Sequence, residues 1–220
     1  MIKYAVEGKE GGVTSVLSDK RDGGGAPALV LRTRPAVEMN DAQFFAFCQQ
    51  NSDLRIERTA KGDLVIMPPT AGDTGNRNFE LAVQFGRWIE QDGSGKGFDS
   101  STGFVLPNGA TRSPDLAWAL RSRLAALAPD QKQGFLPLCP DFVLELRSSS
   151  DSLSAAHDKM REYQENGARL GWLLDPANRR VHVYRPNTPV ETHDDPATVS
   201  GDPELPGFVL NVRALFDAQF

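Results

Sequence analysis

The sequence is short of several things, and each shortage removes a class of protein. Only two cysteines occur in 220 residues, Cys48 and Cys139, too few and too far apart for a disulfide framework or a CxxC metal clip. No apolar run approaches the roughly 18 residues of a membrane-spanning helix; the stretch from Leu116 to Leu120 is typical. The opening residues, MIKYAVEGKEGG, hold no apolar core of the kind a secretory signal carries, so a cytoplasmic protein without a membrane partner is expected. Basic residues are outnumbered, 24 against 29 acidic, for a net charge of −5. Such a chain is a poor nonspecific nucleic-acid binder, whose affinity rests on clustered Lys and Arg, although a metal ion can supply positive charge locally. The histidines, His157, His182 and His193, share no zinc-type spacing with the cysteines, and packing or solvated roles are expected for them.

What is present describes an ordinary globular chain: 40% hydrophobic and 24% charged residues, and enough length to bury a core unaided. Residues 1–34 are interrupted by Gly8, Gly11, Gly12 and Gly23-Gly24-Gly25 and read as a flexible or loosely docked extension. The domain proper is expected over 35–220. Asn40 or Asp41 caps a short helix carrying Phe44, Phe45, Phe47 and Cys48. Two β-runs, 54–59 and 64–68, flank Ala60-Lys61-Gly62-Asp63 as a hairpin. Residues 74–91 show helical spacing, with Leu81, Ala82, Phe85, Trp88 and Ile89 on one stripe.

Strands are expected at 97–101, 103–106 and 115–120, with Asn108-Gly109 turning between the last two. A polar, partly helical connection over 121–133 leads to a strand at 142–147, a helix at 152–166 and a strand at 170–175. Gly167 stands where a helix end wants positive φ, and the three elements read as a crossover between parallel strands. A turn at 176–179 and a strand at 181–185 follow. The tail, broken by Pro189, Pro196, Pro203 and Pro206, reads as a long loop before a closing segment at 208–216. The pattern is α/β or α+β with a mixed sheet.

Two motifs can be set aside. Gly93-Ser94-Gly95-Lys96-Gly97 lacks both the earlier Gly and the following Ser or Thr of a phosphate loop, so turn glycines are expected. Ser148-Ser149-Ser150 near His157 has no Gly-x-Ser-x-Gly elbow; these serines are expected to cap the next helix with Asp151.

The carboxylates are less ordinary. Glu145 interrupts an apolar strand, and alternation puts Val143, Glu145 and Arg147 on one face, Phe142, Leu144 and Leu146 on the other. Near the carboxyl end of a strand feeding a crossover helix, Glu145 stands where open sheets present ligands; a half-exposed strand face is the alternative. Asp115 follows Pro114 at the start of another strand, as a ligand-bearing or an ordinary turn residue. Two carboxylates on adjacent strands can converge on one hard cation, since Mg²⁺ takes one or two carboxylates plus waters and phosphate oxygens. Asp141 is the rival partner, but four residues along one strand is roughly 13 Å, too far to share an ion. On the crossover helix Leu153, Ala156, Met160 and Tyr163 form the buried stripe. Lys159 lies at its edge, with Asp158 and Glu162 turned away, so its ammonium can reach Glu145 or stay solvated. Asp115, Glu145 and Lys159 together suit phosphodiester hydrolysis, the metal activating water and the lysine orienting it or stabilising phosphate charge.

Several uncommon strings recur in order. They are Thr74-Gly75-Asn76-Arg77-Asn78-Phe79-Glu80-Leu81, Asp99-Ser100-Ser101-Thr102-Gly103-Phe104, Arg112-Ser113-Pro114-Asp115-Leu116-Ala117-Trp118 and Pro140-Asp141-Phe142-Val143-Leu144-Glu145-Leu146-Arg147. With Lys159-Met160-Arg161-Glu162-Tyr163 and Gly171-Trp172-Leu173-Leu174-Asp175-Pro176, they make residues 35–217 resemble the Uma2 family, also called DUF820. The resemblance implies a restriction-endonuclease-like fold of the PD-(D/E)xK superfamily, a mixed sheet flanked by helices. It implies an endonuclease acting on DNA, with Asp115 and Glu145 holding Mg²⁺ or Mn²⁺. The superfamily places Lys two residues after the second acid. Here that position is Arg147, so the resemblance moves the lysine to Lys159. Glu80, one turn into its helix, and Glu57 on the hairpin are candidate additional acids, a surface position being the commoner reading of both. A homodimer is open to such a fold. A non-catalytic binding or oligomerisation module on the same fold is the alternative, favoured by the acidic charge and by Arg147.

Overall fold

A computed structural model describes residues 28–148 and 151–217. Most of the expected N-terminal extension, and Ser149 and Ser150 of the serine run, lie outside them. The chain builds two main sheets. The first is five-stranded, in the order β1 (Leu29–Leu31), β3 (Leu64–Met67), β2 (Arg55–Arg58), β6 (Thr111–Arg112) and β5 (Phe104–Val105). The β2–β3 hairpin is the one expected, but β1, within the stretch read as unpatterned, pairs antiparallel with β3. α1 (Asp41–Gln50) starts at Asn40 with a capping box shared with Gln43 and buries Phe44 with Ile56 and Leu64.

The second sheet is six-stranded and mixed: β11 (Glu191–Asp194), β10 (Arg180–Tyr184), β9 (Leu170–Asp175), β8 (Phe142–Leu146), β7 (Leu116–Leu120) and β4 (Gly95–Asp99). Only β8 and β9 run parallel, because only they are joined by a crossover helix, α4 (Leu153–Glu165). Alternation along β7, β8 and β9 divides the core in two. Leu116, Trp118, Phe142, Leu144 and Trp172 pack with Leu81, Phe85 and Trp88 of α2 (Gly72–Asp92) and with α5 (Val212–Phe216). Ala117, Ala119, Val143 and Leu173 face Met160 and Tyr163 of α4. α4 lies close to β9, for a Cβ on Gly171 would stand 2.5 Å from the Met160 methyl.

Several expectations need correction. The Asn108-Gly109 turn joins β5 to β6, a two-residue strand that passes from the first sheet towards the second, rather than β5 to β7. β4 begins at Gly95, two residues earlier than expected; Gly93 ends α2 with φ of 63°, and Gly95 and Gly97 are strand residues. The proline-rich tail is not one long loop. Its prolines fall between β10 and β11, β11 and β12 (Thr198–Ser200), and β12 and β13 (Val209–Asn211), where no ladder hydrogen bond is lost. α4 is capped by Ser152, and Asp151 instead accepts from the Ser148 amide and hydroxyl. A short helix, α3 (Arg121–Ala125), occupies the start of the polar connection. No helix among the described residues is long and apolar enough to cross a membrane.

Gly95 sets the approach of β4 to Trp118 on the neighbouring strand, because an added Cβ would stand 2.2 Å from the rigid Trp118 ring. Gly95→Ala is expected to lower stability by about 1–3 kcal/mol, read as a fall in the urea midpoint at constant slope.

Candidate active site

β7 and β8 pair antiparallel with Leu116 opposite Leu144 and Ala117 opposite Val143. One step further along that register sets Asp115 across from Glu145, and alternation turns both towards α4. The two carboxylates are thereby brought together by adjacent strands, as expected. Asp141 is elsewhere: it accepts from the Leu120 amide at 2.9 Å and pairs with Arg123 at 3.1 Å, fastening β8 to β7.

Lys159, on α4, reaches the same spot. Its Nζ lies 2.8 Å from Glu145 Oε1 and 2.9 Å from Glu57 Oε1. Glu57 is no surface residue. It is only 2% exposed, on a strand whose residues Ile56, Glu57 and Arg58 are all buried. Its other contacts are the Ser113 amide at 3.0 Å and Arg112 Nη1 at 3.1 Å. Arg112 also donates through Nε to Glu162 at 2.6 Å, so Glu162 joins the network rather than pointing away from it. Glu145 Oε1 receives a further hydrogen bond from the Tyr163 hydroxyl at 2.8 Å, and Asp115 Oδ2 accepts the Leu146 amide at 2.9 Å. The other oxygen of Asp115 stands 3.5 Å from Arg55 Nη2.

Two other sequence candidates fall outside this centre. Glu80 is half-buried on α2, whose apolar stripe packs on the opposite face of the sheet, and it makes no hydrogen bond or ion pair with Asp115, Glu145 or Lys159. Arg147 pairs with buried Asp175 at 2.8 Å and donates to the Asp151 carbonyl at 3.1 Å, which ties β8 to β9 and to the start of α4. His157 and His182 take packing roles, their rings meeting edge-on at 4.7 Å while His157 bonds the Tyr184 hydroxyl and His182 bonds Thr192 at 3.0 Å; His193 is exposed.

The electrostatics separate the acids. Burial alone would raise the Glu57 pKa, but Lys159, Arg112 and the Ser113 amide outweigh it and hold the carboxyl down to about 2. Glu145 goes the other way, up to about 7: burial and the charges of Asp115 and Glu57 exceed the pull of Lys159. Asp115 is also raised, chiefly by burial, against Arg55 and the Leu146 amide. Lys159 stays protonated because Glu145 and Glu57 more than offset its burial. Two buried carboxyls that resist ionisation beside one ammonium are short of positive charge, and their oxygens are the hard donors a divalent cation prefers. That donor set fits one Mg²⁺ or Mn²⁺ with waters completing its shell. Among the described residues no group of three or more His, Cys, Asp or Glu is placed to hold a metal ion, so the protein's share of such a shell is two carboxylates.

Sequence reasoning missed Arg55, Arg112, Glu162 and Tyr163. The signal for Tyr163 was its place one helical turn after Lys159. Arg112 sits in the string that carries Asp115, but its partner is on a distant strand.

The model of the Uma2 family, described as "Putative restriction endonuclease", matches residues 41–213, and the chain belongs to that family. Among solved structures it is similar to "a putative nuclease belonging to DUF820" from Anabaena variabilis ATCC 29413, with a TM-score of 0.65 and 19% identity over 81% of this chain and 98% of that one. At that identity the likeness shows the shared fold. No curated protein matches the chain.

The depressed Glu57 carboxyl stabilises the fold only while it is ionised and its unfolded counterpart would be too. That contribution is full above the ordinary value of 4.5 and is lost as pH falls towards 2. Glu57→Gln is expected to cost about 3–5 kcal/mol at neutral pH, since it strands Lys159 and Arg112. The gap between variant and parent should then narrow between pH 4.5 and 2, as followed by urea denaturation across pH.

Proposed function

Because a Uma2 protein has this centre, we propose that it is a metal-dependent endonuclease that hydrolyses DNA phosphodiester bonds. The observation that carries the reading is the meeting of Asp115 and Glu145 on adjacent strands with the Lys159 ammonium 2.8 Å from Glu145. Asp115 and Glu145 would hold Mg²⁺ or Mn²⁺, which when bound lowers the pKa of a water and polarises the phosphate.

The remaining roles belong to the chain. Lys159 has one donor to spare beyond its two carboxylates, and it can orient the attacking water or meet a phosphate oxygen as negative charge gathers there. Glu57, clamped by Arg112, fixes where that ammonium stands. Tyr163 donates to Glu145 Oε1, the same oxygen that Lys159 meets, and leaves Oε2 to other partners. The departure of Arg147 from the superfamily's lysine position is consistent with this arrangement, since its guanidinium is engaged by Asp175.

A binding module without catalysis is the second reading. Its support is that Asp115 and Glu145 are already faced by Arg55 and Lys159, cations of the chain itself.

Supercoiled plasmid incubated with the protein and Mg²⁺ or Mn²⁺ is expected to be nicked or linearised. Asp115→Ala, Glu145→Ala and Lys159→Met should each reduce the rate by about 10²-fold or more. Cleavage that survives both carboxylate substitutions contradicts the site; no cleavage by the parent protein favours the second reading.

A further inference from the structure

Beside the proposed centre lies a cavity of about 410 Å³, between the end of α1, the start of β2, the turn after β4 and the segment leading into β7. Arg55, Ser52, Ser100, Ser113 and the exposed Asp53 line it, with Phe135 on one wall. Arg55 is the only base among its lining residues. It also touches Asp115, so the cavity and the carboxylate pair share a wall.

Arg55 is poorly accounted for as a structural cation. An arginine that serves a carboxylate alone sets its planar fork against both oxygens. Here Nη2 divides its donors between the Ser113 carbonyl at 2.8 Å and a single Asp115 oxygen at 3.5 Å. Nη1 makes no hydrogen bond, and Nε is buried without an acceptor. The side chain keeps 30% of its surface, against 7% for Arg58 on the same strand, whose Nε is likewise buried without an acceptor but whose Nη1 and Nη2 both donate, to Met39, Asp41, Gly109 and Thr111. A guanidinium with uncommitted donors at the mouth of a hydroxyl-lined cavity is matched to a phosphate, whose oxygens accept from Arg, Ser and backbone groups alike. The hydroxyls of Ser52 and Ser100 are uncommitted too, whereas that of Ser101 is held by Asp99.

We propose that this cavity is a phosphodiester-binding subsite, in which Arg55 holds a backbone phosphate of the nucleic acid next to the one presented to Asp115 and Glu145. The proposal rests on the nuclease reading and adds to it where the strand is gripped. It also answers how an acidic protein holds a polyanion: through a cation placed at the centre rather than a broad basic face.

The test is fluorescence anisotropy of a labelled DNA duplex with the full chain, in Ca²⁺ or EDTA so that nothing is cut, across a range of salt. Arg55→Ala is expected to weaken binding about tenfold and to reduce the slope of log K against log salt by about one, while Arg55→Lys keeps the slope. Thermal melts check folding, and Arg55→Gln replaces Arg55→Ala if the latter does not fold. A merely structural Arg55 moves the melting temperature and leaves the salt slope alone. Unchanged affinity and slope in a folded Arg55 variant overturn the subsite while leaving the nuclease reading intact. A parent protein that neither binds nor cuts DNA overturns both, and tight binding of inorganic phosphate without DNA binding overturns the assignment to a polynucleotide.

Discussion

The buried ion pair between Glu57 and Lys159 is the contact on which the rest of this arrangement depends. Glu57 belongs to the five-stranded sheet and Lys159 to the helix laid on the six-stranded one, so their 2.9 Å contact crosses the seam between the two halves of the fold. A pair in so dry a place gains little net stability, because desolvating both ions offsets most of their attraction. Its value is positional. With Glu57 fixed by the Ser113 amide and by Arg112, the ammonium has few places to stand, and the one it takes is against Glu145.

Other contacts cross the same seam. Arg112, on β6, reaches Glu162 of α4, and Arg55, on β2, reaches Asp115 at the head of β7. The hairpin sheet is therefore not an ornament at the edge of a nuclease-like core. It brings Arg55, Glu57 and Arg112 to a centre whose carboxylates come from the other sheet. Burial raises the carboxyl groups of Asp115 and Glu145, while Lys159, Arg112 and the Ser113 amide keep that of Glu57 low, which divides the two proposed metal ligands from one permanent anion.

Legibility in the sequence followed the range over which each feature is decided. Asp115, Glu145 and Lys159 could be read because strand alternation and helical spacing are local; β7 pairs with β8 to set Asp115 by Glu145, and the short β8–α4–β9 unit brings Lys159 to them. Glu57 looked like a hairpin surface residue, since nothing near it in the chain reveals that Lys159 of α4 and Arg112 of β6 close over it. Arg55 and Arg112 were missed for the same reason. Their partners lie on strands that only the folded sheet sets beside them. The tail was misread because its prolines were taken to forbid strands, when they fall between the strands instead. The net charge of −5 argued against nucleic acid as a whole-chain average. An average says nothing of one arginine facing a cavity.

The claim at the centre of this account is that Asp115 and Glu145 hold a divalent cation. Titration of Mn²⁺ into the full chain, followed by the electron paramagnetic resonance of free ion, tests it without reference to any substrate. One bound ion per chain, lost in Asp115→Asn and in Glu145→Gln with the fold intact, is the result expected. Absence of binding by the parent protein, or binding that survives both substitutions, would contradict it.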